Sequence, residues 1–345
     1  LTGAPRCFVY APVRGVGWVV GVMLLAAGCG ARGPLRPGAD LPPFTEAAFA
    51  SKPGRVYTIP TPKPGQPAPV SVIGTTKTYT VRDGDTLLDV ARWFDLGLNE
   101  LVDANPGVDV WVPPVGRTLV VPTAWVLPCC TYEGMVVNIP EMRLYYYERA
   151  PNDPGTTIVR TYPVGLGRDD RRTPRKPFRV VGKTVNPTWN IPPRIRADRI
   201  REKGDRRSAI PGGHPDNPLG RYRFDLDISP YAIHGTNIPW GIGMQVSNGC
   251  ARLYPEDVER LFPLVRIGTT GAFVYQPVKV GQRDGRVWVE AHPDMYAYRP
   301  ALPAAASALL KRGGLRADAP AIKSRVKDAN GIPEPVGAET TGRRA

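Results

Sequence analysis

Ile233-His234-Gly235-Thr236-Asn237, followed by Gly241-Ile242-Gly243-Met244-Gln245-Val246-Ser247-Asn248-Gly249-Cys250-Ala251-Arg252-Leu253, is the stretch that decides how this 345-residue chain is read. A histidine and a cysteine sixteen positions apart mean little alone, because a lone cysteine is more often a small buried hydrophobe than a nucleophile. The neighbours change the reading. Gly249 lets the backbone approach a ligand closely, and amide groups near Gly249 and Cys250 are placed to form an oxyanion hole. A thiol with a reference pKa near ~8.5 is mostly protonated at neutral pH. An imidazole within reach takes that proton and gives a thiolate–imidazolium pair. Acyl transfer through a thioester is the reaction class this predicts, with Cys250 as nucleophile and His234 as base.

On either side of this stretch, short β-prone runs alternate with Gly and Pro clusters. They are Met135–Ile139, Met142–Tyr147, Thr157–Tyr162, Phe178–Lys183, Tyr222–Leu226 and Gly271–Tyr275. Repeated short strands with turn signals predict a mainly-β domain of sandwich or barrel type over 133–277. The clearest helix in it runs from Glu256 to Leu264. A hairpin across Asp284-Gly285 is expected within a 278–298 extension. The Ala-, Pro- and Lys/Arg-rich 299–345 segment reads as a disordered tail.

Upstream, Thr78-Tyr79-Thr80-Val81 is β-prone, and Arg82-Asp83-Gly84-Asp85 makes a turn. Leu87, Leu88, Val90, Ala91 and Phe94 recur at helical spacing behind a cap at Asp85 or Thr86. A second helix carries Leu98, Leu101 and Val102 and stops at Asn105-Pro106-Gly107, and Thr118–Val121 closes as a strand. This βααβ segment, 77–122, resembles a LysM domain, a module that binds N-acetylglucosamine-containing glycans such as peptidoglycan.

The block from His234 to Leu253 is similar to the active-site motif of the YkuD-type L,D-transpeptidases, the ErfK/YbiS group above all. Supporting blocks follow the same order: Thr173-Pro174, Asn186-Pro187-Thr188-Trp189, Pro215–Gly220 and Tyr275–Val280. The resemblance implies that Cys250 attacks the L-centre carbonyl of a tetrapeptide stem and releases D-Ala. It implies that the Gly235 carbonyl orients His234, and that Ser247, Asn248, Gly249 and Arg252 build the oxyanion and substrate-binding loop. An amine, from a second stem or an outer-membrane lipoprotein, then resolves the thioester; no cofactor is implied. Many members carry histidine where this chain has Asn248, which cannot act as a base. Arg175-Lys176-Pro177 also departs from the family's glycine-containing turn. Competing readings are an inactive wall anchor and a papain-like peptidase, but in the latter the cysteine precedes the histidine.

The N-terminus bears on compartment. Arg6 and Arg14 precede an apolar run, Val16–Ala27, of signal-peptide length, and Leu25-Ala26-Ala27-Gly28-Cys29 resembles a bacterial lipobox. A lipoprotein signal peptide (1–28), lipidation at Cys29 and a lipid anchor in the outer membrane, facing the periplasm, are expected. Residues 29–76 are rich in proline and read as a tether.

A net charge of +14 draws the surface to polyanions, and the charge alone does not choose among nucleic acid, anionic wall polymer and lipid head groups; the resemblance implies peptidoglycan and no nucleic acid. The basic runs Arg168–Arg175 and Arg194–Arg207 read as solvated loops. Five cysteines without a C-x-x-C pair, and three histidines, argue against a metal cluster or a disulfide scaffold. The adjacent Cys129 and Cys130 pair together, pair between molecules or stay free. His214 reads as a surface-loop residue and His292 as structural; Trp189 and Trp240 read as groove or packing residues.

Overall fold

The computed structural model describes residues 41–63, 68, 70–128, 132–298, 306–307, 310–311 and 317–338. The expected signal peptide, the lipidation site Cys29, and Cys7, Cys129 and Cys130 lie outside the described residues.

The first element is helix α1 (Glu46–Ser51), whose N-cap Thr45 accepts from the Ala48 amide at 3.2 Å. Strand β1 (Val56–Pro60) follows, then β2 (Val72–Gly74). The βααβ segment comprises β3 (Lys77–Thr80), α2 (Leu87–Trp93), α3 (Leu98–Ala104) and β4 (Thr118–Val121), with β5 (Ala124–Val126) leading out. β3 and β4 pair antiparallel from Lys77↔Val121 to Thr80↔Thr118. The helical spacing has its expected consequence: Leu87, Val90, Ala91 and Leu101 are fully buried against Leu119 and Val121. Each such leucine or valine side chain contributes roughly 1.5–3 kcal/mol. Thr86 caps α2, and Asp85 instead accepts from the Arg82 amide at 2.7 Å to close the turn. Asn105 joins the end of α3 to β4, its amide donating to Leu101 O (2.8 Å) and Val120 O (2.7 Å) while Val120 N donates back.

The remaining chain to Val274 adds β6 (Gly134–Asn138), β7 (Arg143–Ala150), β8 (Asp153–Pro163), β9 (Leu166–Gly167), β10 (Pro177–Val185), β11 (Trp189–Asn190), α4 (Pro193–Lys203) and β12 (Ala209–Ile210). It continues with β13 (Tyr222–Leu226), β14 (Ala232–His234), β15 (Gln245–Ser247), β16 (Ala251–Arg252), α5 (Pro255–Leu261) and β17 (Thr270–Val274). Nine strands form one sheet in the order β1-β8-β7-β6-β17-β10-β13-β14-β16, with β6–β17 and β14–β16 parallel. The domain is mainly β, as the turn-punctuated runs imply.

All of β6 and the first five residues of β7 are buried because both faces of the sheet are covered. Met135, Val137, Leu144 and Tyr146 face the core shared with Ile233, Ala251, Leu253 and Val258. Val136, Tyr145, Tyr147 and Val159 face the βααβ segment and share a core with Leu87, Leu101 and Trp125. Polar contacts reinforce that seam. The fully buried Arg143 pairs with Glu100 at 2.7 Å and stacks over the Trp125 ring at 4.2 Å. Arg92 pairs with Glu256 at 3.0 Å.

Three expectations are corrected. The 29–76 tether is, over its described part, built into the fold: β1 pairs with β8 from Val56↔Arg160 to Pro60↔Thr156, and Phe49 and Ile59 are buried. Its described prolines, Pro42, Pro43, Pro53, Pro60 and Pro62, fall between elements or at an edge strand's end, where they cost no ladder bond. The tail is likewise not all disordered. The expected hairpin forms as β18 (Val278–Arg283) and β19 (Arg286–Ala291), with Asp284 and Gly285 both at positive φ as a tight turn requires. Helix α6 (Ala319–Asp328) and strand β20 (Glu334–Ala338) then return, and β20 pairs with β19. Ile322, Val326 and Val336 cover Val287 and Val289. Those apolar residues are too sparse along the chain to signal a core. The run Arg194–Arg207, expected as loop, carries α4, with Pro193 at its first turn and left-handed Gly204 as its stop.

His292 lies in a buried ionic cluster, 2.6 Å from Glu290, which also contains Glu141 and Lys279. Glu141, Glu290 and His292 could together hold a metal by their spacing. The Lys279 ammonium, however, pairs with both carboxylates, so the cluster already contains a cation of its own.

Candidate active site

The parallel pair β14–β16 sets Ile233 beside Ala251 and His234 beside Arg252. Because side chains alternate along a strand, Ile233, Ala251 and Leu253 all enter the core, each fully buried. His234 and Arg252 take the opposite face, and Cys250, two residues before Arg252, falls on that face too. Cys250, His234 and Arg252 together line a cleft of about 910 Å³, joined by Ser247, Asn248, Arg223, Tyr231 and Trp189.

His234 is buried, and its Nδ1–H donates to the Gly235 carbonyl at 2.7 Å. A carbonyl only accepts, so the proton sits on Nδ1 and Nε2 keeps its lone pair. Burial, then the Arg252 charge, hold the imidazole far below its usual range, at about 3, against a smaller upward pull from the Gly235 carbonyl. The partly accessible Cys250 thiol is pushed up by burial, while the Ala232 backbone and the Arg223 and Arg252 charges draw it down. Both shifts favour neutral partners. Burial thus works against the expected thiolate–imidazolium pair and favours the uncharged thiol and imidazole.

The nucleophile-type loop is closed by Ser247, whose hydroxyl donates to Cys250 O at 2.6 Å and accepts from Gly249 N at 3.0 Å. The Gly249 amide is thus engaged and stands outside any oxyanion hole in this conformation, contrary to expectation. Gly249 itself has φ +108°, and a Cβ there would lie 2.5 Å from the Tyr231 ring. Arg252 is half-buried, its Nε lacks a hydrogen-bond partner, and burial lowers its pKa. Asn248 Oδ1 accepts from Arg171 at 2.6 Å.

Other residues join the site from a distance. Thr173 Oγ1 donates to Gly249 O at 3.1 Å and accepts from Gly167 N at 3.0 Å. The Tyr296 hydroxyl donates to Gly167 O at 2.7 Å and accepts from Thr173 N at 3.2 Å. Thr173 belongs to a block quoted from the sequence, but Tyr296 had no signal: it is one of two tyrosines just beyond the hairpin, outside every quoted motif. Trp189 lines the cleft, whereas Trp240 is exposed elsewhere and is not among the cleft residues. His214 lies in a loop, its Nδ1 accepting from Asp216 N, apart from the cleft.

Such a set can perform cysteine acyl transfer: a thiol, a base with a free lone pair, and a cation facing one cavity. Residues 133–280 match the L,D-transpeptidase catalytic domain (YkuD), and residues 79–122 match the LysM domain. The chain is 38% identical over 248 residues to the Escherichia coli protein named "Probable L,D-transpeptidase ErfK/SrfK", spanning 71% of this chain and 76% of that one. It is 37% identical over 253 residues to "Probable L,D-transpeptidase YbiS" of the same organism, spanning 72% and 79%. With a YkuD catalytic domain and a LysM domain ahead of it, this chain belongs to the L,D-transpeptidase family.

Proposed function

We propose that this L,D-transpeptidase acts on peptidoglycan with Cys250 as nucleophile and His234 as its base, the loop Ser247–Arg252 holding the substrate. The observation that carries this reading is the β14–β16 register, which puts His234 beside Arg252 and Cys250 on one face of one cleft. From a neutral resting pair, the thiol proton passes to His234 Nε2 as sulfur attacks the L-centre carbonyl of a tetrapeptide stem. The carbonyl electrons move onto oxygen. Arg252, half-buried with an unpartnered Nε, is the charge placed to receive that oxyanion or a substrate carboxylate. When the oxyanion collapses, the C–N bond breaks and D-Ala leaves with the proton from the imidazolium. An acceptor amine then attacks the thioester, gives a proton to His234, and restores the thiol.

The same acyl-enzyme serves 3→3 cross-linking, attachment of an outer-membrane lipoprotein and trimming of D-Ala. A periplasmic enzyme anchored by lipid at Cys29 and held to its polymer by the LysM domain suits all three, since binding the polymer raises local substrate concentration. Purified protein incubated with tetrapeptide muropeptides and an amine donor, followed by mass spectrometry, tests the reading. A thioester on Cys250 is expected, with cross-linked dimer, lysine adduct or tripeptide as product. Products that persist in Cys250→Ala would overturn it.

A further inference from the structure

Helix α4 forms a wall of the cleft through Arg194 and Ile195, yet none of its residues is buried. Apolar packing therefore does not hold it in place. Besides the stacking of Arg199 over the Trp189 ring, a tie to the body of the domain comes from Arg171, at the end of the short turn Asp169–Arg171. The Arg171 side chain is only 13% exposed. One guanidinium nitrogen donates to Asp198 on α4 at 2.9 Å, and the other to Asn248 Oδ1 at 2.6 Å. Its Nε makes no hydrogen bond and stands 3.6 Å from Asp170. A planar, permanently charged fork can grip two acceptors at once, which lysine cannot reproduce. The amide oxygen of Asn248 is an acceptor at any pH, which gives a physical role to the asparagine standing two residues before Cys250.

We infer that Arg171 is a positioning residue, fixing the nucleophile loop and the α4 wall of the cleft in one relation through Asn248 and Asp198. The inference rests on the reading of Cys250 as nucleophile. The partners of Arg171 are Asn248, Asp198 and Asp170; it acts through the backbone of the loop and through the shape of the cleft. Its loss frees both segments together.

The test compares the full chain with Arg171→Ala, Arg171→Lys, Asn248→Ala and the Arg171→Ala/Asn248→Ala double variant. Steady-state kinetics with tetrapeptide and amine are read beside hydrogen exchange of residues 193–203 and 246–250. Arg171→Ala is expected to lose about ten-fold in kcat/KM, the scale of a charge-assisted hydrogen bond, with a raised KM. Exchange should quicken in both segments while the β6–β8 strands stay protected. Arg171→Lys should recover part of the loss, and Asn248→Ala should add nothing on the Arg171→Ala background. Multiplying losses in the double variant, or wild-type exchange of both segments in Arg171→Ala, would overturn the inference. If Arg171→Ala fails to fold, Asp198→Asn carries the α4 arm, and unchanged exchange there overturns it equally. Exchange does not depend on chemistry, so a wild type that forms no thioester defeats the reading of Cys250 and leaves this result standing by itself.

Discussion

His234 and Arg252 are direct neighbours across the parallel β14–β16 pair, and this places a permanent cation beside the proposed base. The charge acts on both reacting groups in the same direction, lowering His234 and lowering Cys250. For the imidazole it adds to burial; for the thiol it opposes burial. Burial thus favours the uncharged forms of both groups, and the proposed mechanism has proton transfer accompany attack on the substrate.

The first prediction concerns the thiol. Alkylation of Cys250 by iodoacetamide should climb toward alkaline pH with no plateau near neutrality, since burial raises the thiol. Arg252→Met removes a charge that lowers both groups, so both pKa values should rise. The His234 titration, followed by NMR, should move up toward the usual imidazole range. Alkylation at fixed pH should slow by about ten-fold for each unit the thiol rises. A rate that is flat from pH 6 to 8 would show a preformed ion pair instead.

The second prediction concerns stability. His234 is held at about 3 in the folded chain against an ordinary 6.5. Between those values the unfolded chain binds a proton that the folded chain does not, so stability rises with pH there. As pH falls from 6.5 toward 3, this group should remove up to about 1.4 kcal/mol per pH unit. Above 6.5 both states are neutral and its contribution is flat. Comparing urea denaturation of wild type and His234→Gln across that window isolates it: the wild-type slope should exceed the variant's.

Much of this was legible in sequence, for reasons particular residues make plain. Leu87, Val90, Ala91 and Leu101 announce their helices because one face is buried, and Asp284-Gly285 announces its hairpin because only such residues take positive φ cheaply. His234, Ser247, Gly249 and Cys250 stand close in sequence, so the stretch that contains them could be read as a motif. Tyr296 could not, because its role depends on a hydroxyl meeting Gly167 O and Thr173 N far away in the chain. Helix α4 and the Arg171 link were hidden by charge: a helix that buries nothing leaves no apolar period. The resting protonation state was hidden as well, since burial belongs to the folded site and not to the residue type.

The third prediction concerns the seam between the two domains. Arg143 is fully buried with Glu100, Thr161 Oγ1 and the Asp95 carbonyl as partners. Arg143→Met removes one member of a buried pair and strands the other carboxylate, at a cost of about 3–5 kcal/mol. The LysM residues and the back of the catalytic sheet share one core. Denaturation should therefore show a single transition, shifted as a whole by the variant. Separate LysM and catalytic transitions in the wild type would contradict a shared core.

The fourth prediction concerns the turn before the nucleophile. Gly249 adopts φ +108°, which L side chains rarely take, and its missing Cβ leaves room for Tyr231. Gly249→Ala therefore meets both strain and a 2.5 Å contact with the ring. The backbone conformation alone costs on the order of 1–3 kcal/mol, and the loop can escape only by moving. Any movement breaks the Gly249 N–Ser247 and Thr173–Gly249 O bonds that position the following residue. Transpeptidation should fall by more than Tm does, because the displaced loop includes Cys250 while the sheet beneath it is unchanged. Tyr231→Ala in the same chain removes the ring contact but not the φ strain, so activity should recover only in part. Full recovery would assign the whole defect to the ring, and none would assign it to the backbone.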